Sequence, residues 1–295
     1  MADRQDAAAE VFDDLRPLLF TVAYELLGSA ADADDVVQDS WLRWSDVDQD
    51  EVRDPRAYLV RVVTRQALNR LRTLQRRRET YVGPWLPEPL LTAPDVADDV
   101  ELSEAVSMAM LVVLETLTPL ERAVFVLHDV FGFEYAEVAA ATDRTPAAVR
   151  QVAHRARQHV EARRPRMSVG PEAEQVAAAF IRAVVGGDLQ AMLDVLAPDV
   201  VLLSDGGGVV SAARRPILGP DKVARFLAGV VPKAGDIEIT WCTVNGTPAA
   251  MVTSGETVLG VGSCLVVDDK VTAIHFVLNP EKLGRLRAEA PLSRV

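Results

Sequence analysis

Apolar positions recur at helical spacing over residues 8–27, where Val11, Phe12, Leu15, Leu19, Val22 and Leu26 fall on one face. Gly28 stops that run, and Ser29 is placed to cap the next helix. Residues 30–45 predict a second helix with Val37, Trp41 and Trp44 on its apolar face and Asp32, Asp35 and Asp39 together on another. A polar loop follows, and Asp54-Pro55 opens a third, long helix, since proline is favoured at the first helical position. Its Leu59, Val62, Val63, Leu71 and Leu74 point to a core, whereas Arg61, Arg65, Arg72 and Arg76 follow a different face.

Residues 80–100 break the periodicity with four prolines and read as a linker. Trp85 and Leu86 are too apolar to be left in water, and the linker is expected to dock through them. Periodicity returns over 101–117, predicted as one helix with Val106, Met110, Val113, Leu114 and Leu117 inward. "TPLE" at 118–121 is a capping box that opens another helix, to about 131. "EYAEVAAATDRTPAAVRQVAHRARQHV" then reads as helix, short turn, helix, with Thr145 as cap and Pro146 opening the second member. That is helix-turn-helix spacing.

From residue 171 the pattern changes. A helix, a Gly-Asp break, a short helix and a strand are followed by a helix in "GPDKVARFLAGVV". After 236, apolar and β-branched runs separated by Asn245-Gly246, Ser254-Gly255 and Asp268-Asp269 predict antiparallel strands. An all-α region thus precedes an α+β one, and 295 residues suit two or three domains.

Charge sharpens the picture. The net charge is −12, which by itself argues against nucleic acid as a partner. Its distribution argues the opposite. Residues 1–51 hold 3 Arg against 14 acidic residues, a net −11, whereas 53–78 hold 9 Arg against one Asp and 144–166 hold 7 Arg against one Glu. Two basic stripes on an acidic chain are the footprint of phosphate contacts at chosen places. Cys242 and Cys264 are too few for a disulfide framework, and no zinc-type Cys/His set, phosphate loop or dinucleotide fingerprint is present, so no metal or cofactor is expected. The acidic start lacks signal-peptide character, and no run is apolar enough to span a bilayer; a soluble cytoplasmic protein without membrane contact is expected.

A helix-turn-helix places its second helix in the major groove. Arg150, Gln151, His154 and Arg155 are positioned to face outward there, with Val149, Val152 and Ala156 inward. An ordinary amphipathic helix with a solvated basic face has the same pattern. The acidic "DADDVVQDSWLRW" reads equally as a solvated face, and its short Asp side chains with no His or Cys nearby do not make a metal site.

Taken in order, the acidic helix, Arg-rich helix, Pro-rich linker and helix-turn-helix resemble the extracytoplasmic-function (ECF) sigma factors of bacterial RNA polymerase, over roughly residues 8–164. That resemblance implies two all-α domains, sigma region 2 at 1–79 and region 4 at 101–166, joined by the linker at 80–100. It implies that Asp35, Gln38 and Asp39 contact the β′ clamp helices of core polymerase. It further implies that Arg61, Arg65 and Arg72 meet the −10 promoter element, and that Arg150, Gln151, His154 and Arg155 meet the −35 element. Many relatives have Asp where this chain has Asn69, and Asn69 is given no role.

The chain continues well past the helix-turn-helix. "YVGPWLPEP", "DGGG" at 205–208 and "NPEKL" at 279–283 resemble the subgroup with a fused SnoaL-like domain, here 171–295. The resemblance implies an α+β SnoaL/NTF2-like cone that regulates the sigma module through Trp85, Leu86, Pro87, Asp205, Gly206, Gly207, Gly208, Asn279, Pro280, Lys282 and Leu283. The subgroup's glycine motif often ends in Lys; Val209 stands here and removes that charge. Read from the residues alone, "NPEKL" is also a plain helix start, with Asn279 as cap, and "DGGG" is either a loose turn or a point of close backbone approach. Two rivals stay open for the cone. One is an enzyme using Asp205, Asp199 or His275 as a base; the other is a sensor for an unknown small-molecule ligand. The expected protein is a non-enzymatic sigma factor, monomeric when free, whose partners are core RNA polymerase and promoter DNA.

Overall fold

The computed structural model describes residues 2–48, 51–92, 102, 105–163, 170–231, 235–290 and 292–294. The chain divides into two compact units: Met1–Glu79 with Val113–Arg164 and Pro291–Val295, and Thr80–Val112 with Pro165–Ala290.

The first unit is all helix. Helix α1 runs Ala2–Leu27 with Pro17 inside it. The proline removes one helical N–H, and the Thr21 hydroxyl donates to the Pro17 carbonyl at 2.8 Å. Phe12, Leu18, Leu19, Val22 and Leu26 are buried, but Val11, expected inward, is 36% exposed because the buried stripe passes beside it. Helix α2, Ala30–Ser45, is capped by Ser29, whose hydroxyl accepts from the Asp32 amide at 3.3 Å. Trp44 is buried, and its indole N–H donates to the Ala8 carbonyl at 2.9 Å. Trp41 lies edge-on to Phe12. Helix α3, Pro55–Arg78, buries Leu59, Val63 and Leu71.

The helix expected over 101–117 is broken. Ser107 leaves the helical path and caps Met110 at 3.1 Å, and helix α4 spans only Met108–Leu114. Serine does this because its hydroxyl satisfies an orphan amide of the new helix. Helix α5, Pro119–Phe125, has the expected Thr118/Glu121 capping box and passes into a π-helix at Val126–Val130. Helices α6, Tyr135–Thr142, and α7, Pro146–Glu161, are joined through Asp143 in the left-handed conformation (φ 54°).

A buried ionic cluster fastens α5 to α1 and α3. Glu115 pairs with both Arg78 and Arg122. Arg122, which is 1% exposed, donates from Nε to the Glu25 carbonyl at 2.8 Å. The Glu25 carboxyl is fully buried without a hydrogen-bond partner. Burial pushes it up to about 8, against the smaller opposing pull of Arg122.

The second unit is α+β, as expected. Helices α8 (Pro171–Gly186), α9 (Leu189–Val195) and α10 (Pro220–Val230) accompany strands β1 (Leu196–Asp205), β2 (Ile217–Leu218), β3 (Glu238–Val244), β4 (Thr247–Ser254), β5 (Thr257–Val267) and β6 (Lys270–Val277). The sheet order is β2-β1-β6-β5-β4-β3. Strands β3 to β6 form the predicted antiparallel meander, while β1 returns beside β6 in parallel. Asn245-Gly246 and Asp268-Asp269 have positive φ at both turn positions, as tight hairpins require.

Side chains alternate between the two sheet faces. Leu202 and Ile274 join Phe180, Met192 and Val223 under the helices. The opposite face takes Val244, Ala249, Val261 and Val277 with Leu86, Met108, Leu283 and Leu286. Residues 80–92 and the start of α4 therefore belong to the hydrophobic core of this unit. Residues 101–112, expected with the helix-turn-helix, group here as well.

Candidate functional site

The residues singled out in the sequence occupy four places: the open face of α2, the arginine face of α3, the outer face of α7, and a polar hub at the end of β1.

On α2, Asp35, Gln38 and Asp39 are exposed, while Val36, Val37 and Ser40 on the opposite side are buried. Gln38 borders a groove of about 600 Å³ lined by Phe12, Asp13, Arg16, Asp34 and Trp41. Leu42 beside it is 57% exposed. Arg70 of α3 bridges the acidic face, with its guanidinium 2.5 Å from Asp32 and 3.1 Å from Asp35. The hydrogen bond to Asp32 raises the arginine's pKa. Arg70 was not picked out from sequence; the Asp32/Asp35 pair at i, i+3 was the available signal.

On α3, Arg61 lies over the Tyr58 ring and Arg72 donates to Asn69 Oδ1 at 2.9 Å. Arg65 reaches the turn of the helix-turn-helix: it pairs with Asp143 and donates to the Ala140 carbonyl at 2.9 Å. The guanidinium thus serves as a C-terminal cap for α6, where carbonyls lack helical partners. Arg76 has a side chain outside the described residues.

On α7, Arg150, Gln151, His154 and Arg155 are exposed, and Val149, Val152 and Ala156 are buried, as the spacing predicts. Thr145 caps the helix through the Ala148 amide at 3.2 Å. Arg150 lies 5.8 Å above the Tyr135 ring. Arg155 is 3.8 Å from Glu121, a weak tie across solvent. Arg157, passed over in the sequence, anchors α7 by donating to Asp129 at 2.5 Å and to the Tyr135 hydroxyl at 3.3 Å.

The fourth place is the most heavily bonded. Asp205 is fully buried, and its carboxylate accepts from the Tyr81 hydroxyl (2.6 Å), the Leu86 amide (2.9 Å), the Gly207 amide (3.0 Å) and Lys282 Nζ (2.7 Å). Its carbonyl accepts from the amides of Leu278 and Asn279 at 2.7 and 2.9 Å. Hydrogen bonding to the Asp205 carboxylate adds to burial in pushing the Tyr81 phenol up. Lys282 also donates to the Leu86 carbonyl and sits 4.1 Å above the Trp85 ring. Asn279 caps the short 3₁₀ turn Pro280–Lys282 through the Glu281 amide and donates to Tyr81 at 2.9 Å, so cap and contact are one residue. Leu86, Pro87 and Leu283 are buried around it.

The glycines fit this as points of close approach rather than a loose turn. A Cβ on Gly207 (φ 63°) would meet the Asn279 amide group at 2.5 Å, and one on Gly206 would meet the Val210 carbonyl at 2.6 Å. The linker is held a second time. Asn245, in its hairpin turn, accepts from the Leu90 amide at 3.0 Å and donates to the Val106 carbonyl at 2.9 Å. Tyr81 and Asn245 were not foreseen; both act from outside the quoted motifs.

The acid-base candidates do not assemble. Asp199 is exposed, Asp205 is saturated by donors, and His275 is buried on the sheet with its ring pushed down to about 4 by desolvation. The Cys264 thiol is pushed up to about 12 by burial. Among the described residues no helix is long and apolar enough to cross a membrane.

Comparison with known proteins agrees with this geometry. Residues 11–77 match the Sigma-70 region 2 family and residues 107–160 the Sigma-70, region 4 family. The chain is 40% identical over 286 residues to the ECF RNA polymerase sigma factor SigJ of Mycobacterium tuberculosis, covering 92% of this chain and 91% of the relative. It is 32% identical over 279 residues to a probable ECF RNA polymerase sigma factor, SigI, of the same organism, covering 93% and 94%. The crystal structure of SigJ superposes with a TM-score of 0.75 at 37% identity, covering 93% of this chain and 98% of that one.

Proposed function

The chain belongs to the extracytoplasmic-function sigma factors, which bind core RNA polymerase and direct promoter recognition, and on that premise we propose how its residues divide the work. Asp35, Gln38 and Asp39 on α2 dock on the β′ clamp helices of the polymerase. Arg61, Arg65 and Arg72 on α3 engage the −10 element, and Arg150, Gln151, His154 and Arg155 on α7 enter the major groove at the −35 element. Arg and Gln there supply the donors that read guanine and adenine edges. The protein works in the cytoplasm, and the fused domain is a regulator rather than an enzyme.

One observation supports the regulatory part above the rest: Asp205 and Lys282 hold the linker between regions 2 and 4 by its own backbone at Leu86. A linker bonded in this way is not free to set the distance between two promoter readers. We assign to the fused domain control of that distance. The saturated Asp205 and the buried, neutral His275 weigh against a base-catalysed reaction in the cone.

Run-off transcription with core polymerase tests the assignment. Asp39→Arg should abolish polymerase binding, and Arg150→Ala should abolish promoter selectivity while polymerase binding persists. Lys282→Met should change transcription without changing polymerase affinity. Retention of full activity by Asp39→Arg and Arg150→Ala would overturn the residue assignment.

A further inference from the structure

Residues 292–294 lie in the first unit, among helices more than a hundred residues away in sequence. The Ser293 amide donates to Thr21 Oγ1 on α1 at 2.9 Å. The Arg294 guanidinium donates from both Nε and Nη2 to the Val130 carbonyl, at 3.1 and 2.7 Å. Thr21 is fully buried, and its own proton is given to Pro17. Val130 is the last residue of the π-helix, where carbonyls lack a partner along the chain. Both acceptors are thus preset: one hydroxyl lone pair in the core of region 2, and one helix-end carbonyl in region 4.

We propose that Thr21 and the Val130 carbonyl form a binding notch for the chain's own segment 292–294, and that its occupation ties region 2 to region 4. This rests on the sigma-factor reading, in which the two regions must part to reach separate promoter elements. The segment acts as a two-point strap: the Ser293 amide holds α1 and the Arg294 fork holds the π-helix. Arginine is the residue for the second point, because a cationic planar fork meets a single carbonyl with two donors at the end of a helix where positive charge is favoured.

The test is hydrogen–deuterium exchange on the full chain, with Arg294→Ala, Arg294→Lys and Thr21→Val. A charge-assisted hydrogen bond to a buried carbonyl is worth enough to change opening about tenfold. Amides of 126–133 and of 18–27 should therefore exchange about tenfold faster in both Arg294→Ala and Thr21→Val, and Arg294→Lys should fall between, since lysine cannot form the fork. Acceleration confined to the element each variant touches, or none at all, would overturn the strap. Affinity for a random double-stranded DNA library, measured on the same samples, should rise in Arg294→Ala. An unchanged affinity with faster exchange would overturn the claim that the strap restrains DNA reading. Absence of DNA binding in every form would count against the sigma assignment instead, leaving the exchange result to judge the strap.

Discussion

Replacing Glu25 by Gln should stabilise the first unit, and the gain should grow with pH. The carboxyl is fully buried with both oxygens unpartnered, and it titrates near 8 where an ordinary glutamate titrates at 4.5. Below 4.5 the group is protonated in both folded and unfolded chains and costs nothing extra. As pH rises from there toward 8, the unfolded chain gives up its proton while the folded one keeps it, so stability falls by about 1.4 kcal/mol per pH unit. The loss is roughly 3 kcal/mol at pH 7 and roughly 5 kcal/mol above pH 8, where it levels off. Glutamine cannot ionise and has the same shape. Glu25→Gln should match the natural protein near pH 4.5 and exceed it by roughly 3 kcal/mol at pH 7. Arg122 meets the Glu25 carbonyl from α5, so the same titration loosens the packing of region 4 on region 2. Urea titrations at pH 5, 7 and 8.5, with amide exchange in α1 and α5 as the local readout, measure it. A pH dependence identical in both proteins would refute the reasoning, and a loss of stability at every pH would show that Glu25 is held as a carboxylate by Arg122.

Three other outcomes follow from the geometry. Arg65→Ala should free the Asp143 turn and weaken binding to −10 DNA, with about 1 kcal/mol or less lost from stability because the pair is exposed; chemical denaturation and a gel-shift assay read the two effects. Leu86→Ala should cost about 2–5 kcal/mol of the second unit's stability by leaving a cavity against Val261 and Val277, read by thermal unfolding. Gly207→Ala should displace Asn279 and expose Trp85 to water, seen as a red shift of tryptophan emission in a variant keeping only that tryptophan.

Much of this was legible from spacing alone. The apolar stripes located α1 to α3, the capping box at Thr118 and the turn at Thr145 located region 4, and the paired turn residues located the meander. The outward face of α7 followed from the same periodicity. Other features have no local signature. The break at Ser107 lies inside an unbroken apolar pattern and depends on where Met108 and Val106 must go in the second unit. The parallel return of β1 beside β6 pairs Leu196 with Val271, a choice made by burial across the whole sheet. Arg65 reads as a phosphate ligand by composition; that it caps α6 depends on the packing of α3. "DGGG" and "NPEKL" drew notice through family resemblance, while Tyr81, which joins them, lay outside both.

The hub at Asp205 also orders events in time. Tyr81 and Leu86 lie 124 and 119 residues before Asp205, and Lys282 lies 77 after it. Strand β1 waits for β6 in the same way. Contacts of such separation form late, because the intervening chain must first be made and closed into a loop. During synthesis, the helices of regions 2 and 4 therefore leave the ribosome well before the residues that fasten the linker between them. A nascent chain passes through an interval in which both promoter-reading regions are complete and the linker is still untethered. The length of that interval is set by translation speed through the last third of the message, so codon usage there bears on how each new molecule first meets polymerase.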